Sequence, residues 1–301
     1  MTNKPTLIVV GGPTASGKTA AAIELALKLN TEIINVDSRQ VYKELRIGVA
    51  KPSAEELLKV THHGVSTVGI HEHYNAGMHA EHFESTIQNL LSANGSAILC
   101  GGTGLYIEAL INGLDDMPEI DPDLRSEILD EFVAHGLDRL VQVLHQLDPN
   151  AGTLVALDNP QRVMRAIELC IQTQKTLSEI YSQKPNPRFP QAHVIYLGIE
   201  YEREKLYQRI NQRVDKMIAD GLIAEVESLL PHQSLKSLQT VGYSELFRHF
   251  AGEVTTAEAI DSIKQHTRNY AKRQITYFTN RFPTRWIAAT EWPKYLRNFE
   301  L

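Results

Sequence analysis

The sequence predicts an α/β fold in which a doubly wound parallel sheet carries an all-helical insertion. Two observations support this prediction. Short apolar runs typical of buried strands alternate with segments of helical periodicity, and this alternation stops in the middle of the chain. The predicted strands are residues 6–10, 32–36, 97–100 and 193–199, and the predicted helices of the core are 20–29, 79–92, 105–111 and 201–230.

The middle of the chain is predicted to be a helical insertion over residues 117–191. Its segments with helical patterning, which follow one another without a strand, are 122–135, 137–146, 150–157 and 161–173. The predicted organisation is therefore an α/β core over 1–116, the insertion, and a stretch over 192–301 that completes the core and ends in basic helices.

Composition narrows the class of protein. With 301 residues and 43% hydrophobic content, the chain is long enough to bury a large core. Its two cysteines, Cys100 and Cys170, lie outside any C-x-x-C spacing, which argues for a reducing compartment and against a structural zinc site. No secretory signal and no apolar run of transmembrane length is evident. We therefore expect a cytoplasmic protein that has no membrane partner.

A phosphate-binding pattern, G-x-x-x-x-G-K-[ST], directly follows the first predicted strand. Its glycines allow backbone torsions that turn consecutive N–H groups toward an anion. The lysine adds a positive charge, the final threonine offers a hydroxyl to Mg²⁺, and the dipole of the next helix favours the same anion. The residues predicted to bind a di- or triphosphate are Gly12, Pro13, Thr14, Ala15, Ser16, Gly17, Lys18 and Thr19. This motif makes the predicted core P-loop NTPase-like.

Two further turns follow predicted strands, where a parallel sheet places its ligands. Asp37 comes after the second strand. Three roles are open to it: a Mg²⁺ ligand, a general base, or a helix cap. The glycine-rich turn at 101–104 follows the third strand, and it is a weak signal by itself because such turns are often rich in glycine.

The charge of the chain is unevenly distributed. The formal net charge of −6 speaks weakly against nucleic-acid binding, yet no carboxylate occurs between Asp261 and Glu291. The cations of this stretch are Lys264, Arg268, Lys272, Arg273, Arg281 and Arg285, and the interleaved aromatic residues are Tyr270, Tyr277, Phe278 and Phe282. This pattern suits either a surface that follows RNA or a helix whose aromatic side chains face the core.

In combination and in this order, the motifs resemble those of the tRNA dimethylallyltransferase family over nearly the whole chain. The matching segments are 12–19, 37–42, 47–52, 101–106, 159–166, 241–243 and 271–276. Because the sequence shows no zinc-finger segment before Leu301, we expect a protein of the bacterial type.

The resemblance implies transfer of a dimethylallyl group from dimethylallyl diphosphate to tRNA, with release of diphosphate. The acceptor would be the exocyclic amine of the adenosine 3′-adjacent to the anticodon. Asp37 matches the family's general base, Thr103 matches a residue at the reacting end of the site, and Thr19 matches the Mg²⁺ contact. We expect Mg²⁺ as the cofactor, the anticodon stem-loop of tRNA as the partner, and a monomer.

The resemblance also implies contacts with tRNA. The matching positions are Asp37, Ser38, Arg39, Gln40, Thr103, Arg125, Gln161, Arg162, Val163, Met164, Arg165, Gln239, Gly242, Tyr243, Arg268, Lys272 and Arg273. The last three become the expected phosphate contacts of the basic stretch, whereas Tyr277 and Phe278 are expected in the core. Gln239 departs from the pattern, because some members have an arginine there and glutamine cannot supply its charge.

Three other functions are compatible with parts of the sequence. A P-loop small-molecule kinase would use the same phosphate loop with ATP, but would leave the basic stretch and the insertion without a role. A prenyltransferase acting on free adenine nucleotides would not need an RNA surface. A non-catalytic RNA-binding or nucleotide-sensing module would need no general base.

Overall fold

The computed structural model describes residues 4–114, 118–182 and 186–301. Its strands are β1 (Thr6–Gly11), β2 (Ile33–Asn35), β3 (His62–His63), β4 (Ser96–Cys100), β5 (His193–Glu200) and β6 (Arg285–Ala288). They form a six-stranded sheet in the order β3-β2-β4-β1-β5-β6, and every neighbouring pair is parallel. The predicted parallel α/β fold is confirmed.

The helices of the described residues are α1 (Lys18–Leu29), α2 (Ala54–Lys59), α3 (Ala76–Asn94), α4 (Gly104–Asn112), α5 (Pro122–Leu147), α6 (Pro160–Thr173), α7 (Leu177–Ile180), α8 (Arg203–Ala219), α9 (Leu222–Ser228), α10 (Tyr243–Phe250), α11 (Thr256–Arg281) and α12 (Trp292–Arg297). Short 3-10 helices lie at Ala151–Thr153, Leu230–His232 and Lys236–Leu238. Within the described ranges, no helix combines the length and the apolar character needed to cross a membrane.

The sheet is covered on both faces, as a doubly wound fold requires. Along β1, Leu7 and Val9 pack with the apolar side chains of α3 and α4, whereas Ile8 and Val10 pack with those of α1. All four side chains are fully buried. This division follows from the period of two in a strand, since successive side chains point to opposite faces.

A third apolar cluster lies beside the sheet and supports the loop that follows β2. Val41 and Leu45 of this loop pack with Leu222, Tyr243 and Ile263, which come from α9, α10 and α11. All five are at most 2% exposed. This cluster fixes the end of β2 against the C-terminal helices, which brings distant parts of the chain around one site.

The chain divides into two compact units, Met1–Ile111 with Arg188–Leu301, and Asn112–Pro187. The predicted division after residue 116 lies outside the described residues. The second unit contains α5, α6 and α7, and it has no strand in its described part. The backbone at Gly136 is non-helical (φ 75°, ψ −175°), so α5 is interrupted between the two predicted helices, 122–135 and 137–146.

Some local predictions differ from the structure. The predicted helix over 201–230 is two helices, α8 and α9, because Gly221 adopts a φ of 103° between them. In the predicted helix over 150–157, the structure has the 3-10 turn Ala151–Thr153. Two strands were not predicted from the sequence, β3 and β6, which have two and four residues and lie at the two edges of the sheet. Such short strands show too few alternations to be recognised.

Candidate active site

A cavity of about 860 Å³ opens at the carboxyl ends of the central strands, within the first compact unit. The phosphate loop after β1, the turn after β2 and the turn after β4 contribute to its walls. Residues of α8 and α11 line it as well. The position agrees with the general placement of ligands in open parallel sheets.

The phosphate loop connects β1 to α1, as its sequence pattern predicts. Gly17 precedes the helix in a left-handed conformation (φ 89°, ψ 18°), which glycine adopts without strain. The Pro13 carbonyl accepts hydrogen bonds from the Ser16 hydroxyl at 2.9 Å and from Lys18 Nζ at 2.5 Å. Of the eight predicted residues, those that line the cavity are Thr14, Ala15, Gly17, Lys18 and Thr19.

Two cations meet at this loop. Arg213 of α8 donates from Nη1 to the Thr14 hydroxyl at 3.1 Å and lines the cavity together with Lys18. Burial lowers the pKa of Lys18 to about 8 and lowers the pKa of Arg213 below its usual range. Neither forms an ion pair with a carboxylate of the described residues. Both side chains are half-buried, and because a cation partly withdrawn from water is costly without an anionic partner, the pair is arranged to receive an anion.

Arg213 was not predicted as a site residue from the sequence, and neither was Arg209, which lies one helical turn earlier. Arg209 donates from Nε to the Ala15 carbonyl at 2.9 Å, and its guanidinium lies 4.7 Å from the Tyr201 ring centroid. The available signal was the i, i+4 spacing of the two arginines, which places them on one face of a helix. That signal predicts a shared face, but it does not indicate what the face covers.

Asp37 holds a turn and still presents a carboxylate oxygen to the cavity. Its Oδ1 accepts from the backbone N–H groups of Arg39 at 2.9 Å and Gln40 at 3.4 Å. Its Oδ2 has no hydrogen-bond partner among the described residues. The residues after Asp37 form a turn rather than a helix. Asp37 therefore caps a turn and not a helix, and it does so with Oδ1 alone.

Thr103 connects the turn after β4 to the turn after β2. Its hydroxyl oxygen accepts from the Ser38 backbone N–H at 3.0 Å and the hydroxyl donates to Ser38 Oγ at 3.3 Å. Tyr270 of α11 also lines this end of the cavity, and burial raises the pKa of its phenol to about 12. The predicted residues Asp37, Ser38 and Thr103 are therefore brought together at one end of the site.

Arg39 and Gln40 line the cavity but use their side chains to hold neighbouring backbone. The Arg39 guanidinium donates to the carbonyls of Lys236, Ser237 and Gln239 at 2.9–3.2 Å. Gln40 Nε2 donates to the carbonyls of residues 49 and 50 at 3.1 and 3.0 Å. Both side chains therefore shape the rim of the site. Their predicted contacts with RNA stay predictions.

Gln239 and Gly242 also line the cavity. The Gln239 side chain donates to the Gln233 carbonyl at 2.9 Å. The role of glutamine at this position therefore includes fixing the local loop.

The C-terminal cations form a surface on α8 and α11. Three of them surround the ring of Tyr207, with Arg203, Arg268 and Lys272 at 5.4, 6.0 and 5.9 Å from its centroid. Arg273 is exposed beside Lys272 and reaches the cavity. In the described part of the chain, none of these cations is paired with a carboxylate. We call this group, with Arg209, the α8–α11 basic surface.

Apart from Tyr243, the remaining predicted RNA contacts lie in the second compact unit. Arg125 makes two hydrogen bonds to the carboxylate of Glu168, at 3.0 and 3.2 Å, and Arg165 makes a third at 3.3 Å. Burial alone would raise the pKa of Glu168, but these hydrogen bonds bring it below its usual range. Gln161 and Arg162 are exposed at the start of α6, and Met164 is half-buried.

Two of the residues predicted to contact RNA have side chains in the core, and their contacts with RNA stay predictions. Val163 and Tyr243 are both 0% exposed. Val163 packs in the core of the helical unit, and Tyr243 packs in the third cluster while its hydroxyl donates to Glu225 at 2.5 Å. Both therefore serve packing. The expected core position of Phe278 is confirmed, and Tyr277 packs against the same cluster.

The chain is similar to proteins of one known family. The model of the IPP transferase family matches residues 40–281. A tRNA dimethylallyltransferase of Flavobacterium johnsoniae is 43% identical over 287 residues, which cover 93% of this chain and 92% of the relative. A tRNA dimethylallyltransferase 1 of Bacteroides thetaiotaomicron is 38% identical and covers 97% and 96% of the two chains.

Solved structures agree with this result. A tRNA isopentenylpyrophosphate transferase from Bacillus halodurans has a TM-score of 0.71 at 33% identity, over 98% of this chain and 95% of that one. A eukaryotic dimethylallyltransferase acting on tRNA has a TM-score of 0.80 at 26% identity, over 96% of this chain and 75% of that one.

Proposed function

We propose, since the chain belongs to the IPP transferase family, that it transfers a dimethylallyl group to tRNA. The donor is dimethylallyl diphosphate, and the acceptor is the exocyclic amine of the adenosine 3′-adjacent to the anticodon. The observation that carries the proposal is a pair of half-buried cations, Lys18 and Arg213, that line the same cavity as Asp37, whose carboxylate has one oxygen without a partner. The transfer requires cations that bind the leaving diphosphate and a group that accepts a proton from the amine.

The phosphate loop would bind the diphosphate of the donor. The N–H groups of residues 15–19 and the charges of Lys18 and Arg213 would stabilise the negative charge that grows as the carbon–oxygen bond breaks. The electron pair of that bond leaves with the diphosphate. A charge that develops in the transition state is stabilised most by donors that are already in place, so this contribution lowers the barrier.

The residues fit a Mg²⁺ ion. The Thr19 hydroxyl lines the cavity without a hydrogen bond to any described residue, and Mg²⁺ is often held by one or two protein oxygens together with substrate phosphates. Such an ion would offset charge on the diphosphate.

Asp37 would accept the proton from the amine as the new nitrogen–carbon bond forms. The lone pair of this amine is delocalised into the adenine ring, so that the amine is a weak nucleophile without a base. General-base assistance is typically worth about 10²–10⁴-fold. Because Thr103 fixes the turn that carries Asp37 through Ser38, the base would be held in position at the acceptor end of the site.

The α8–α11 basic surface would bind the phosphates of the anticodon stem-loop. Its unpaired cations lie in a chain whose formal net charge is −6, so the positive charge is locally concentrated. An adenosine in an anticodon loop can leave its stack for only a few kcal/mol, which makes it accessible to an enclosed site. A small-molecule kinase would have no use for this surface.

The proposal is tested with purified protein, dimethylallyl diphosphate, Mg²⁺ and unmodified tRNA, followed by digestion and mass analysis of the nucleosides. We expect one adenosine heavier by one prenyl group, and no product when the donor is omitted. Parallel reactions offer adenosine monophosphate as acceptor, or ATP with a panel of small metabolites. Unmodified tRNA together with a prenylated nucleotide or consumed ATP would refute the proposed acceptor or reaction.

A further inference from the structure

Gln274 occupies an unusual position on α11. Its side chain is 5% exposed and makes two hydrogen bonds to distant parts of the chain. Oε1 accepts from the Thr14 backbone N–H at 2.8 Å, and Nε2 donates to the Gly102 carbonyl at 3.0 Å. Because an N–H must meet the amide oxygen and a carbonyl must meet the amide nitrogen, these partners fix the orientation of the amide. One side chain thus bridges the phosphate loop and the turn after β4.

The helix is fitted closely to that turn. A Cβ at Gly102 would collide with the Gln274 amide, and a Cβ at Gly104 would collide with the Tyr277 ring. Gln274 and Tyr277 are three residues apart and lie on one face of α11. The two glycines therefore permit a close approach that any larger residue would prevent.

The two bridged segments carry different parts of the proposed reaction. Thr14 lies in the phosphate loop, which would hold the leaving diphosphate. Gly102 precedes Thr103, whose hydroxyl fixes the turn of Ser38 and thereby the neighbouring Asp37. The bridge therefore joins the donor end of the cavity to the acceptor end.

We propose that Gln274 is a positioning residue that sets the spacing between the leaving diphosphate and the attacking amine. This inference rests on the proposed prenyl transfer. A misplacement of about 1 Å between reacting groups can cost about 10²-fold in rate. The role differs from binding RNA, since the Gln274 side chain is turned inward while the adjacent Lys272 and Arg273 are exposed.

The test compares Gln274→Met with Gln265→Ala. Methionine keeps approximately the volume of glutamine but removes both hydrogen bonds, whereas Gln265 is an exposed glutamine on the same helix. Single-turnover transfer is measured with both substrates saturating, and tRNA affinity is measured separately. We expect transfer by Gln274→Met to fall at least about tenfold, on the scale set by misplacement, with tRNA affinity nearly unchanged. The melting temperature should fall moderately, because two buried hydrogen bonds are lost. Gln265→Ala should behave as the unaltered protein.

A second variant tests the same contact from the other side. Gly102→Ala leaves Gln274 intact but displaces its amide, so we expect a similar loss of transfer rate. Because both changes break one contact, the double variant should be no slower than the more affected single variant. If Gln274→Met does not fold, Gly102→Ala alone decides the question.

Several results would overturn the inference. One is transfer by folded Gln274→Met, or by Gly102→Ala, within twofold of the unaltered protein. Another is a parallel loss of donor binding and tRNA binding, since that would indicate a purely structural role. Failure of the unaltered protein to prenylate tRNA would instead refute the proposed function and the inference with it.

Discussion

Substitutions of Asp37 can separate its role in the reaction from its role in the fold, because its two carboxylate oxygens have different surroundings. Oδ1 accepts two backbone N–H groups, at 2.9 and 3.4 Å, and Oδ2 has no partner among the described residues. Asparagine can reproduce the first function with its amide oxygen but cannot accept a proton. We therefore expect Asp37→Asn to fold normally and to transfer the prenyl group about 10²–10⁴-fold more slowly.

Asp37→Ala removes both functions. The loss of two backbone hydrogen bonds should lower the free energy of unfolding by about 1–2 kcal/mol, since each contributes about 0.5–1.5 kcal/mol and the longer one is weak. Its transfer rate should fall at least as far as that of Asp37→Asn. Comparing the two variants therefore separates the role in the turn from the role as a base.

The assay is single-turnover transfer at saturating donor and tRNA, with urea denaturation of the same preparations. Asp37→Asn also removes a negative charge near Lys18 and Arg213, so the KM for the donor should not rise. The reasoning is refuted if Asp37→Asn transfers within threefold of the unaltered protein. It is also refuted if its slow turnover is restored by more donor alone.

Three further outcomes follow from the structure. Arg213→Ala should weaken donor binding by about 10–150-fold, the equivalent of a charge-assisted hydrogen bond of about 1.5–3 kcal/mol, and titration calorimetry with dimethylallyl diphosphate measures it; unchanged affinity would contradict the role of this cation. Lys272→Glu should weaken tRNA binding and reduce its salt dependence, whereas Lys294→Glu on α12 should not; equal effects would indicate a non-specific change in charge. His79 is fully buried and burial lowers its pKa from 6.5 to about 4, so below pH 6.5 the unfolded chain takes up a proton that the folded chain excludes. The free energy of unfolding should then fall by about 3 kcal/mol as pH drops from 6.5 to 4. Urea denaturation of His79→Gln should not show this part of the pH dependence.

The sequence alone determined the local features of this protein. The spacing of Gly12, Gly17 and Lys18 after an apolar run predicted a phosphate loop between a strand and a helix, and the structure has it there. Apolar runs that alternate with helical segments predicted β1, β2, β4 and β5. These features depend on near neighbours along the chain, so their pattern is visible in a short window. The order of motifs also predicted the family, which the comparisons confirm.

Only the tertiary structure decided which distant residues complete the site. Arg213 contacts Thr14 across 199 residues and Gln274 contacts it across 260, and neither contact leaves a local pattern. Tyr243 shows that a local pattern can also mislead. Its motif indicated a functional segment, but the fold buries its side chain in the core. Backbone geometry and hydrophobic periodicity act over a few residues, whereas hydrogen bonds and burial depend on which segments the fold brings together.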